Sequence, residues 1–473
     1  MKNYKTIVLI IVLACVSIGK AAAQLPYNSA FNNIIPTIPS VAIVRSLSPS
    51  LTAICYYTPS DGVCLIMTNV TTGVPSSVIK LKQMATVSDI RFYNGHLFFC
   101  GISHANPANS PHPSSACYGY VDIMSFWVSP PTGYNIEYRY LNLPPKKTKI
   151  GPMLVYRNGT ADKLVLLGSV DISSGSPSSL IGLIPPPPQH TYVSSSYYGD
   201  SRQCFVIECD NPMSVTPTMN LMLVNSDDTH ECTCDMTLTD SYVSIVGYDM
   251  KDNRIAYVHR CQKSDVLNTF NDRHSYSIPY SLPFSGYRCC SIMHDSIVIA
   301  NLSDASGLYG IRTRYLNLQT MTMFNAQEIP IPDKTDVLDM VYSPIPKTLL
   351  LLSYYDFLGN ANIDHVFLRL DPFKTTPYTT TGVVETHLTE TYTSMDLMWN
   401  NYFVATGGNY EFVKHIVTDS ASPCYTTGLQ NVKILPTIKI NPSGFHYDKV
   451  GVIIIPENVP VDHDTINVDT PCR

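Results

Sequence analysis

Long apolar runs, basic clusters and tryptophan are what this chain lacks. After its first twenty residues no stretch stays apolar long enough to cross a membrane as a helix, so no transmembrane segment is expected. Charged residues are only 14% of the chain and the formal net charge is −6. With no cluster of Lys or Arg to neutralise phosphates, nucleic acid is excluded as a partner. The two tryptophans, Trp127 and Trp399, are too few for a row of sugar-stacking platforms. Glu and Ala are sparse, Pro reaches 35 residues and no window sustains a 3.6-residue apolar period, which excludes long amphipathic helices.

Catalytic phrases are missing too. There is no Gly-x-Ser-x-Gly elbow, no His-Glu-x-x-His, no calcium loop of alternating Asp and no repeated Ser-x-Asp-x-Gly-x-Thr-Trp turn. The 13 His are scattered, none three or four residues from another. The Cys232-Thr-Cys234 pair lacks the two-residue gap of a zinc site. No catalytic residue, cofactor or metal site is expected. The two carboxylates of a glycosidase leave no local phrase, so a polysaccharide-active hydrolase or lyase, with acids at a channel mouth, stays open as the alternative.

What is present begins with a leader. Lys2 and Lys5 precede the apolar "TIVLIIVLA", and "AAAQ" offers a cleavage site after Ala23. Residues 1–23 read as a signal peptide and 24–473 as the mature, exported chain. A lipid on Cys15, at the end of "VLAC", is the competing expectation. Losing Lys2, Lys5 and Lys20 makes the chain more acidic still.

Fourteen cysteines suit an oxidising compartment. Cys55 and Cys64 flank "YYTPSDGV", and Cys100 and Cys117 bracket a polar loop, so each pair is expected to form a disulfide. Cys424–Cys472 would tie down a C-terminal tail of about residues 438–473. Cys204, Cys209, Cys232 and Cys234 form a local group whose pairing the spacing does not resolve.

The strongest signal is repetition. "VSDIRFYNGHLFFCG" (87–101) returns as "TCDMTLTDSYVSIVG" (233–247) and "SMDLMWNNYFVATG" (394–407). Each runs Asp, apolar strand, polar turn, apolar strand, Gly. Weaker copies give anchors near residues 41, 151, 290 and 339. Units of roughly 50 to 60 residues with four short strands each predict an all-β fold, a single seven-bladed β-propeller of four-stranded antiparallel blades, with eight blades as the lesser alternative. The gap between 151 and 235 is too long, so residues of about 186–232, with their Pro tract, are expected to be an insertion in or after the third blade.

The aligned acids Asp89, Asp235, Asp339 and Asp396 then fall on inner strands. Each either takes part in a cation-binding ring or, the preferred reading, accepts N–H bonds from the neighbouring blade. The phrases "LFFCG", "GYVDI" and "CDMTLTDSYVSIVG" resemble uncharacterised secreted β-propeller proteins of gut Bacteroidales. That resemblance implies fold and export, and supplies no catalytic residues.

Tyrosine is in excess, with 31 residues. "TYVSSSYYGD" places Tyr197 and Tyr198 in a polar loop of a kind suited to recognition. The sequence therefore predicts a monomeric, non-enzymatic binding scaffold for an unknown protein or glycan.

Overall fold

The computed structural model describes residues 28–32 and 43–469, except 59–60, 70–74, 105–115, 129–133, 142–147, 172–201, 225–230, 250–254, 278–286, 306–307, 331–334, 346, 357–362, 386–390, 399–402, 409–411, 419–425, 436–437, 439, 444–448, 452–453 and 465–466, with Pro75 present as an isolated bridge to Thr68. Among the described residues a single 3-10 turn, Ile123–Phe126, is helical. None of their helices is long and apolar enough to cross a membrane.

The chain opens with β1 (Asn28–Asn32). Antiparallel meanders follow. The first is β2 (Ile43–Ser46), β3 (Leu51–Thr58), β4 (Gly62–Asn69) and β5 (Val78–Lys80). The second is β6 (Met84–Tyr93), β7 (His96–Ser103), β8 (Ala116–Asp122) and β9 (Asn135–Leu141). Next come β10 (Thr148–Asn158), β11 (Ala161–Asp171), β12 (Arg202–Asp210) and β13 (Thr218–Leu223), then β14 (Glu231–Leu238), β15 (Tyr242–Asp249), β16 (Ile255–Gln262) and β17 (Arg273–Ser277). They are followed by β18 (Arg288–Ser291), β19 (Ser296–Ala305), β20 (Leu308–Asn317) and β21 (Thr322–Pro330), then β22 (Thr335–Ser343), β23 (Thr348–Asp356), β24 (Ile363–Leu370) and β25 (Tyr378–Glu385). The last meander has only β26 (Thr391–Leu397), β27 (Phe403–Gly408) and β28 (Phe412–Thr418). Its fourth strand is β1, paired antiparallel to β28 with Asn28 opposite Ile416.

The first strands of successive meanders pack side by side in the cycle β2, β6, β10, β14, β18, β22, β26 and back to β2. This is a closed β-propeller. Strands inside the meanders are buried on consecutive residues, as in Leu97–Cys100 and Leu349–Leu352, because both faces are covered by neighbours. Phe98 packs with β10–β13 residues such as Leu164 and Phe205, whereas Phe99 packs with β2–β5 residues such as Leu65 and Ile79.

The C-terminal segment adds six further strands: β29 (Thr426–Ile434), β30 (Asn441–Pro442), β31 (Lys449–Gly451), β32 (Ile454–Pro460), β33 (His463–Asp464) and β34 (Asn467–Asp469). Each pairs with the outermost strand of a meander. β29 sits between β25 and β21, and then β30 joins β17, β31 joins β13, β32 joins β9, β33 joins β5 and β34 joins β1. The segment is a belt that visits the meanders in reverse order and leaves no outermost strand uncovered.

Here two expectations are corrected. The sequence predicts seven blades, and six sheets are found. The reason is β29, which pairs with both β21 and β25 and fuses two meanders into one nine-stranded sheet. Residues 202–223, read as part of an insertion, are instead β12 and β13, regular members of their meander. Residues 186–201 and 225–230 of the expected insertion lie outside the described residues, as do Cys15, Tyr197, Tyr198, Cys424 and Cys472.

The expected disulfides are corrected as well. No described cysteines lie at disulfide distance. Cys55 is opposite Leu65, and Cys64 is opposite Tyr56. Cys100 is opposite Tyr118, and Cys117 is opposite Gly101. Each pair is one residue out of register, and in a strand a one-residue offset sends the two side chains to opposite faces.

Candidate functional site

The inner strands enclose a central channel of about 980 Å³. Its wall carries Asp89, Asp235, Asp339 and Asp396 together with Arg45, Arg91 and Arg288.

The recurring Asp is placed by a bulge. The register of β6 against β7 slips between Val87 and Asp89, that of β14 against β15 between Thr233 and Asp235, and that of β22 against β23 between Val337 and Asp339. Glycine stands across from the first two bulges, at Gly101 and Gly247. A Cβ there would collide with the carbonyls of Thr86 and Cys232, so the bulge and its glycine come as a unit. In β26 the slip lies between Tyr392 and Ser394. Ser394, not Asp396, therefore holds the equivalent place, and Asp396 sits two residues further along.

Each carboxylate spans two inner strands. One oxygen accepts the N–H of the residue that follows it: Ile90, Met236, Met340 and Leu397, at 2.8–2.9 Å. The other accepts an N–H from the next meander. Asp89 takes Met153 at 2.9 Å, Asp235 takes Cys289 at 2.9 Å, Asp339 takes Met395 at 2.9 Å and Asp396 takes Ser46 at 2.7 Å. Ser394 Oγ accepts from Val44 N and donates to Asp339 Oδ2. Four of the contacts around the ring of inner strands are thus bridged by a carboxylate to a backbone N–H.

The environments of the acids differ. Asp89 is buried, which by itself would raise its pKa. Arg91 and Arg45 lie against it at 3.1 Å and 2.7 Å and, with the Met153 N–H, hold it below the ordinary carboxylate value. Asp235 has only Arg288 and its two N–H donors to oppose burial, and its pKa is pushed up to about 6. Burial raises Asp396 too, against Arg45 and the Ser46 N–H. For Arg45 burial works against the charge, but Asp89, Asp339 and Asp396 outweigh it and hold the proton more tightly than usual.

The arginines escaped the sequence reading. A signal was there: Arg45 in "IVRS" and Arg91 in "DIRF" are charged residues inside otherwise apolar inner strands. Cys234 and Cys290, both half-buried, also line the channel. Among the described residues no group of three or more His, Cys, Asp or Glu side chains is arranged to hold a metal ion.

No family model and no curated protein matches the sequence. Among solved structures the chain is similar to a polysaccharide lyase, an ulvan lyase, with TM-score 0.32 and 11% identity over 83% of this chain and 94% of that one. The same lyase bound to -[GlcA(1-4)Rha3S]- gives the same figures. Porphyromonas gingivalis dipeptidyl peptidase 4 aligns with TM-score 0.24 and 10% identity, over 82% of this chain and 57% of that one. Likeness at these TM-scores carries no functional argument.

Proposed function

We propose that this protein is an exported, monomeric, non-enzymatic β-propeller scaffold that binds a protein or glycan, akin to the secreted Bacteroidales propellers that its repeat phrases resemble. In this reading residues 1–23 are the leader. The nine-stranded sheet counts as two blades joined by β29, which makes a seven-fold ring.

One observation supports the binding role most. Each channel carboxylate spends an oxygen on a backbone N–H of its own strand and the other on the next meander. Acids committed in this way hold a frame together, and recognition then falls to loops carried on it. The segment with Tyr197 and Tyr198 is the first candidate for that role.

The test is a binding screen of the mature chain against glycans and cell-surface proteins. Saturable binding, weakened at least tenfold by replacing Tyr197 and Tyr198 with Ala in a folded protein, is expected. Unchanged affinity in that variant would place recognition elsewhere on the propeller.

The hydrolase or lyase reading has one observation in its favour: Asp235, with its pKa near 6 beside Arg288, has the proton affinity of a general acid. Cleavage of a polysaccharide that disappears in Asp235→Asn, with the fold intact, would replace the scaffold reading.

A further inference from the structure

We infer that Cys204 and Cys232 are a disulfide-forming pair that locks β12 to β14 when the protein meets a low-molecular-weight disulfide, and that Cys234 is its entry point. The two sulfurs are 3.9 Å apart. Both side chains are buried in the same core cluster, where the β10–β13 meander packs against β14–β17. This selects one pairing from the local group of four. Cys209 lies on β12 too, but five residues from Cys204 and so on the opposite face. It packs toward β8, with its sulfur 3.9 Å from the Tyr118 hydroxyl. It cannot reach Cys232 without turning the strand over.

Cys234 completes the arrangement. It is the bulged residue between Thr233 and Asp235, it is half-buried, and it lines the central channel. Its thiol donates to the Cys232 carbonyl at 3.7 Å. One thiol thus faces the channel with two more behind it.

Exchange through this set balances. The Cys234 thiolate attacks the incoming disulfide R–S–S–R, forms a mixed disulfide and releases one R–SH after proton uptake. Cys232 displaces the second R–SH and bonds to Cys234. Cys204 then attacks Cys232, which leaves Cys204–Cys232 bonded and returns Cys234 as a thiol. Two protein thiols are oxidised and one small disulfide is reduced to two thiols. The first step is slow, because hydrogen bonding to Cys232, and then burial, push the Cys234 thiol well above its ordinary value and leave little thiolate.

The experiment is non-reducing peptide mapping of the purified mature chain, reduced and then incubated with oxidised glutathione. The expected product links the peptides of Cys204 and Cys232, weighs two hydrogen atoms less, melts at a higher temperature than the reduced protein and reverts with dithiothreitol. Cys234→Ser should form the same bond at least tenfold more slowly, while Cys204→Ser should form none of it. A wild-type product bridged Cys232–Cys234 or through Cys209 would overturn the pairing. So would intact thiols after unfolding and refolding in oxidised glutathione. An unchanged rate in Cys234→Ser would overturn the entry role.

Discussion

Asp89 and Asp235 stand beside equivalent bulges and make equivalent backbone bonds, yet acid acts on them in opposite directions. Asp89 is held below the ordinary carboxylate value. Its ionised form stabilises the fold above the unfolded-state pKa, and that contribution is lost as pH falls through its lowered folded value. Asp235 is raised from 3.8 to about 6. Between those values the folded state binds more proton than the unfolded one, so this group's effect is to raise stability as pH falls from about 6 toward 4. The stability of Asp235→Asn should lack that component, and urea unfolding of both proteins from pH 7 to pH 4 checks it. Asp89→Ala should cost about 3–5 kcal/mol at neutral pH, since it takes a carboxylate from the part-buried Arg45 guanidinium and the acceptor from the buried Ile90 and Met153 N–H groups. A loss below about 1 kcal/mol in urea melts would show that the pair does not hold the ring.

At the scale of elements, the bulge and its glycine are the unit that the repeated phrase encodes. Gly101→Ala or Gly247→Ala should destabilise by about 1–3 kcal/mol or more, because the collision is with backbone, which cannot swing aside. Thermal melts of the single variants test this. The phrase was legible because apolar strands and an Asn94-Gly95 turn recur in it. Both turn residues take positive φ, at 48° and 77°, as a tight hairpin requires. Its register was less legible. Counting by Asp put Asp396 where Ser394 stands, and counting by loop length put Cys55 and Cys64 on one face, because a single residue inverts a strand's sides while leaving its composition unchanged. The belt left no trace at all. Strands of two or three residues such as β30 and β33 are too short to show a pattern, and their partners, at His274–Ser275 and Val78–Ile79, are remote in sequence. Deleting residues 438–469 should uncover the edges of β5, β9, β13, β17 and β1. Bare edges pair with one another, so size-exclusion chromatography should show self-association of the truncated chain at concentrations where the full chain elutes as a single small species.

For the molecule as a whole, the propeller architecture follows from the repeated strand pattern, whereas the number of sheets and the way the ring closes do not. The last meander borrows β1, so residues 28–32 and 412–418 share one sheet. Removing residues 24–32 should therefore lower the melting temperature of the entire protein in one transition. By contrast, a backbone cut anywhere within 172–201 should leave the halves together, because β11 and β12 on either side stay paired from Lys163–Asp210 to Asp171–Arg202. Co-elution of the two fragments after cleavage is the expected result. The belt also sets a timetable. A chain emerging from its amino end makes β2 to β5 first, and the segment that will cover them, β33, is among the last residues to appear. The earliest blade waits longest with its edge bare, and the ring cannot shut until β28 has arrived. Contacts of such sequence separation make folding slow, on the order of milliseconds to seconds or longer, and a partly emerged chain offers open strands to every neighbour. Folding of this protein should therefore depend on factors that keep nascent chains apart until residues 426–469 have wound back around the rest.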